Sequence, residues 1–341
     1  MNINLLARQY CSATLAPRIS PISRSATVLT FGLLAIGVIS SIATKFTLTS
    51  FPNIILLVIG IVVLDVLIQL LPKIRIVETA QTILYGVLYL VTTCVCGVLA
   101  AYAMQRFAFP LQDQNLANAD IALGLNWLGY AHWVDKHVLI QTIFHSAYDS
   151  ISAQIAIPVI VLAFSNRLDE LRVYLLAFAL ALSVTIIISA IMPAAGPISL
   201  IDPGSFNILR FTGATPIDHL TRLREAGPLV LSDFPGGIAT FPSFHATIAI
   251  LTPLTLRSHP RILIALLFVD AAMLGGTVTE GAHYFTDVFA GICMAFFAHS
   301  LARRIIRLED RSFPRHSNHP TTVPIRQLAK AAPVRADQRL A

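Results

Sequence analysis

Charge is what this sequence has least of. Only 12% of its 341 residues are Asp, Glu, Lys or Arg, against roughly a quarter in an average soluble domain. With 55% hydrophobic residues and a mean hydropathy of +0.72, that scarcity excludes an ordinary water-soluble domain. Cysteine is scarce as well. Cys94 and Cys96 stand two apart in an apolar run and face different sides, and Cys11 and Cys293 are isolated. That spacing supports neither a disulfide framework nor a metal site, so no structural disulfide, metal or other cofactor is expected. A cleavage site of small residues is also missing from the end of the first long apolar run. The run is therefore read as a membrane helix and not as a removed leader.

Long apolar runs are what the chain has in place of charge. A spanning helix needs about 20 mainly apolar residues, and such windows recur along most of the sequence. The fold expected is an all-α, polytopic membrane protein of about eight transmembrane helices, at 27–47, 52–72, 79–104, 150–166, 173–193, 241–257, 262–279 and 283–301. Two longer stretches, 105–149 and 194–240, do not span. The first is amphipathic, carries both tryptophans, Trp127 and Trp133, and is expected to lie along the membrane surface with Tyr130 in an interfacial belt. The tail after Arg303 is basic and contains proline, a composition that favours disorder.

The basic residues orient the spans. With the N-terminus inside, only Lys45, Arg106, Lys136, Arg210, Arg222 and Arg224 of the 24 Lys and Arg fall outside. This agrees with the positive-inside rule. Both termini are expected in the cytoplasm, and the loop 194–240 on the other side. The net charge of +6 then belongs to cytoplasmic loops and tail and calls for no nucleic acid.

The same topology brings two motifs together. In "GGIATFPSFHATIAI", His245 opens the sixth span on the outer side. In "TVTEGAHYFTDVFAG", His283 follows the end of the seventh. Two helices rising about 1.5 Å per residue return the chain to the level it left. Asp287 lies one helical turn beyond His283 and shares its face. A carboxylate there can take the Nδ1 proton of the imidazole, fix the tautomer and leave Nε2 as a nucleophile or base. His245 can hold a proton for a leaving oxygen. Ser243, at a helix start, and Thr277 supply hydroxyl donors for an anion, with Thr279 nearby. Arg222 and Arg224 supply positive charge. Taken singly, each group has a plainer role: an interfacial histidine, a structural i, i+4 pair, an N-cap, arginines on lipid headgroups. Their coincidence on one side of the membrane favours chemistry at phosphorus.

"PSFH" followed by "GAHYFTD" resembles the second and third motifs of the type-2 phosphatidic acid phosphatase superfamily, and most resembles the branch that contains inositol phosphorylceramide synthase. The resemblance implies a six-helix core at 79–301. It leaves two extra helices within 27–78, a cytoplasmic segment at 1–26 and a tail at 302–341. It also implies that His283 is the nucleophile, Asp287 its carboxylate and His245 the proton donor. The family's first motif, a Lys followed by Arg-Pro, has no counterpart at "IMPAAGPISL". The Ser-Arg that opens its third motif is replaced by Gly276 and Thr277.

The function expected is that of an integral membrane lipid phosphatase or phosphotransferase of the cell (inner) membrane, working through a phosphohistidine at the non-cytoplasmic face. Its partners would be a lipid phosphate substrate, a polyol or other alcohol acceptor, and membrane lipids. Two competitors remain open. One is a metal-dependent membrane hydrolase ligating through His245, His283, Asp287 and Glu280. The other is a proton-coupled transporter using the intramembrane Asp65 and Asp270.

Overall fold

The computed structural model describes residues 21–45, 75–200, 216–225 and 238–312. The expected span 52–72, with Asp65, and most of both terminal segments lie outside them. Among the described residues every regular element is helical, and the chain is an all-α polytopic membrane protein. The unit that carries the site comprises residues 19–308.

Helix α1 (Arg24–Thr44) starts where the Ser23 hydroxyl accepts from Ala26 N at 3.1 Å, and it ends on Lys45 in the left-handed region. It lies along α2 (Arg75–Gln105). Polar groups inside this apolar pair find each other, as they must where water is absent. The Thr30 and Thr93 hydroxyls meet at 2.9 Å, and Tyr89 Oη donates to Ala26 O at 2.9 Å.

Three short helices follow: α3 (Asp113–Ala122), α4 (Trp127–Asp135) and α5 (Val138–Asp149). They make up the amphipathic stretch expected on the membrane surface, and they dock on the bundle. Trp127 Nε1 donates to Val278 O and Tyr130 Oη to Gly275 O, both at 3.0 Å. The Phe144 ring lies directly over Gly275. Those two aromatics thus use their polar handles to grip a helix.

Helix α6 (Ile151–Phe164) continues α5 after a 53° bend, and the two together are long and apolar enough to cross. Helix α7 (Leu168–Ile191) is the buried centre, with Leu171 and Tyr174 to Ala181 almost wholly removed from the surface. A 3-10 turn (Pro197–Leu200) and α8 (Pro216–Arg224) follow, then α9 (Phe244–Thr255), α10 (Pro260–Thr279) and α11 (Phe285–Ser312).

Five described helices can cross a membrane by length and composition, α1, α2, α7, α10 and α11, or six with the bent α5–α6 pair. The expected sixth span is shorter than 241–257. Ser243 caps α9 at its start, and Pro260 at the first position of α10 marks the next start. At 12 residues, α9 rises only about 18 Å against a hydrocarbon core of about 30 Å. Its N-terminus therefore ends inside the bundle, among neighbouring helices.

Candidate active site

The N-terminus of α9 and the start of α11 are stitched together by backbone. Ser243 N donates to Asp287 O at 3.1 Å, and the Thr247 hydroxyl donates to Gly291 O at 3.0 Å. Gly291 permits this, because a Cβ there would run into the Ser243 carbonyl. The two histidine motifs thereby become neighbours.

His283 is 4% exposed and Asp287 fully buried. His283 Nδ1 lies 3.2 Å from Asp287 Oδ2, and that oxygen also accepts from Tyr284 N at 3.0 Å. A carboxylate so placed takes the Nδ1 proton and leaves the lone pair on Nε2. Nε2 faces the Ser243 hydroxyl at 3.4 Å. Two residues beyond Ser243 stands half-buried His245, an electrostatic neighbour of His283. Its ring stacks on Tyr148 with centroids 3.8 Å apart and planes 11° from parallel. The amides of Phe244 and His245, in the first turn of α9, make no backbone bond among the described residues. They point out of the helix end, with Ser243, at the space an anion would take.

The side chains of the other expected groups make no hydrogen bond to the His283–Asp287 pair among the described residues. The Thr277 hydroxyl is used within α10, donating to Met273 O at 2.7 Å. Helix α8 buries Leu220 and Leu223, the latter beside Leu99 and Tyr102 of α2. Arg224 Nη2 donates to Phe109 O at 2.9 Å, and Arg222 is exposed. Among the described residues no hydrogen bond or ion pair ties either arginine to His245, His283 or Asp287.

Four side chains near the site had not been singled out. Asp113 accepts from Ala195 N and Gly196 N at 3.1 and 2.8 Å, and from Tyr284 Oη at 3.1 Å. Asp120 accepts from Phe285 N and Thr286 N, both at 2.9 Å, and so caps α11 from another helix. The two carboxylates are seven residues apart, two helical turns, on the side of α3 that meets the His283 segment. Their seven-residue spacing was the available signal. The other two, Tyr148 and His145, come from α5. His145 Nδ1 meets Glu280 Oε2 at 3.0 Å, while its Nε2 lies 3.4 Å from Asp149. Burial pushes the Glu280 carboxyl above its ordinary range, and the His145 bond partly offsets this. Among the described residues no three His, Cys, Asp or Glu side chains gather as metal ligands, and this includes the set His245, His283, Asp287 and Glu280.

Residues 114–301 match the sequence profile of the PAP2 superfamily. Comparisons with curated proteins and with solved structures give no significant match. The matched span holds nearly all of α3, then α4 to α10 and the first part of α11, and with them Ser243, His245, His283 and Asp287. The chain therefore belongs to the PAP2 superfamily, as a membrane protein of the phosphatase type.

Proposed function

We propose that this protein is a lipid phosphatase or phosphotransferase that transfers a phosphoryl group through His283. The observation that carries the reading is the posture of that imidazole. Nδ1 is held on a buried carboxylate, and Nε2 is turned toward a serine hydroxyl and the N-terminus of α9. His283 Nε2 attacks phosphorus, and the ester oxygen departs with a proton from His245. Asp287 keeps the tautomer and balances the charge that develops on the ring. Water or an alcohol then attacks the phosphohistidine. The N–P bond breaks, the new O–P bond forms, and the proton of the attacking hydroxyl returns to His245. Ser243 and the first amides of α9 receive phosphoryl oxygens, with Arg222 and Arg224 as the candidate sources of positive charge. No metal takes part in these steps.

In the phosphotransferase reading a polyol or other alcohol is the acceptor. The charge asymmetry of the loops favours a site on the non-cytoplasmic side of the cell membrane, with both termini cytoplasmic. The test is incubation of purified protein with radiolabelled lipid phosphates, with and without inositol. Labelled phosphate alone identifies a hydrolase, and a labelled inositol product a transferase. In either case a base-stable, acid-labile label is expected on the quenched protein and is expected to vanish in His283→Ala. A label that survives this substitution overturns the mechanism.

A further inference from the structure

Tyr148 links the two imidazoles, and no motif pointed to it. It sits near the end of α5, in the segment expected on the membrane surface. Its ring covers His245 in the parallel stack already described. Its hydroxyl reaches the other motif. The position a Cβ would take on Gly281 lies 2.6 Å from His283 Cδ2, 2.8 Å from the Thr277 carbonyl oxygen and 2.9 Å from Tyr148 Oη. Because residue 281 has no side chain, the phenol hydroxyl and the His283 ring share one gap. Among the described residues nothing hydrogen-bonds to that hydroxyl. A phenol of ordinary pKa near 10 keeps its proton at neutral pH and is a donor.

Beyond the Ser243 hydroxyl and the first amides of α9, the gap is short of donors among the described residues. A phosphoryl group in transfer spreads negative charge over three oxygens. The arginine that opens the family's third motif is replaced by Thr277, whose own hydroxyl is committed to Met273 O. Among the described residues, no bond ties Arg222 or Arg224 to either imidazole.

We propose that Tyr148 is a phosphate-binding and positioning residue: its hydroxyl donates to a non-bridging phosphoryl oxygen at His283, while its ring fixes the plane of the His245 imidazole. This rests on the phosphoryl-transfer reading above. The hydrogen bond stands in for a contact of the missing arginine, without its charge. No proton is transferred, so the donor role is independent of pH across the neutral range. The stack acts through His245, and its effect is read in the pH profile. The titratable groups around this pair are His283 beside His245, and Glu280, His145 and Asp149 around Tyr148.

The two roles separate by substitution. Tyr148→Phe keeps the stack and removes the donor. Tyr148→Leu removes both, and Tyr148→Met replaces it should the leucine variant not fold. Binding of inorganic phosphate to the full-length protein in detergent is measured by calorimetry, alongside the pH dependence of turnover on the labelled lipid phosphates. Tyr148→Phe is expected to weaken phosphate binding about tenfold, as for loss of a hydrogen bond to a charged group, with an unchanged pH profile. Tyr148→Leu is expected to weaken binding as much and also to shift the limb that reports His245. Wild-type phosphate affinity in Tyr148→Phe overturns the donor role. A wild-type pH profile in Tyr148→Leu overturns the positioning role. A wild-type protein that binds no phosphate and turns over no lipid phosphate overturns the phosphoryl-transfer reading and this assignment with it. Phosphate binding indifferent to residue 148 overturns the assignment alone.

Discussion

His283 has its two ring nitrogens in different surroundings, and its chemistry follows from that difference. Nδ1 faces a carboxylate with no access to water, while Nε2 faces a hydroxyl. Asp287→Asn puts an amide in place of the proton acceptor and allows the wrong tautomer. Turnover is expected to fall about 10³-fold or more, as when such a carboxylate is neutralised in other histidine-based sites, while phosphate binding changes little. Equal losses in turnover and phosphate affinity would show that Asp287 holds the fold and not the tautomer. Ser243 serves both fold and site, since its hydroxyl caps α9 and faces Nε2. Ser243→Ala is expected to cost about 1 kcal/mol of stability through the lost cap, read as a lower melting temperature, and to reduce turnover as well. The sequence pairs His283 with Asp287 as if both stood on one helix; His283 in fact precedes α11, and Asp287, in its first turn, reaches back to the imidazole and to the Tyr284 amide.

Between elements, α3 clamps the start of α11 from outside. Asp120 takes the Phe285 and Thr286 amides, which the helix itself cannot satisfy. Asp120→Ala is expected to destabilise by about 1–2 kcal/mol and to loosen the His283–Asp287 geometry, so that turnover falls together with the melting temperature. A variant with lower turnover and an unchanged melting temperature would place Asp120 in the chemistry instead. At the crossing of α9 and α11, Gly291→Ala pushes a methyl into the Ser243 carbonyl, with an expected loss of about 1–3 kcal/mol. Neither contact could be read from the sequence. A carboxylate in an amphipathic stretch looks like solvent-facing charge until the fold shows which amides it covers.

For the whole molecule, pH acts through groups the helices bury. Glu280 has its carboxyl raised by burial, so its contribution to stability is fully present below the ordinary glutamate range. That contribution is lost as pH rises through the elevated value. The melting temperature of the wild-type protein is expected to decline across that window, and Glu280→Gln is expected to remove this part of the decline. A variant that follows the wild-type curve would assign the decline to other groups. Turnover is expected to be bell-shaped in pH, with His245 protonated and His283 neutral at the optimum, and to survive chelator. A single-cysteine Arg222→Cys protein, its native cysteines replaced, is expected to react with an impermeant thiol reagent only from the non-cytoplasmic side. Reaction from the cytoplasm would invert the topology.

By itself the sequence determined the solvent, the element type and the pairing of His283 with Asp287. Each follows from local facts: long uncharged runs can only be helices in lipid, and a carboxylate in the first turn of a helix lies within reach of the residues just before it. The tertiary structure decided what lies beside that pair. It shortened α9 so that its N-terminus ends within the bundle, and it folded the amphipathic segment onto α10. It also delivered Tyr148, Asp113 and Asp120 to the motif from more than a hundred residues away. Such contacts depend on where a glycine lets two backbones touch and on which amides lack a partner. Neither property belongs to any stretch of sequence taken alone.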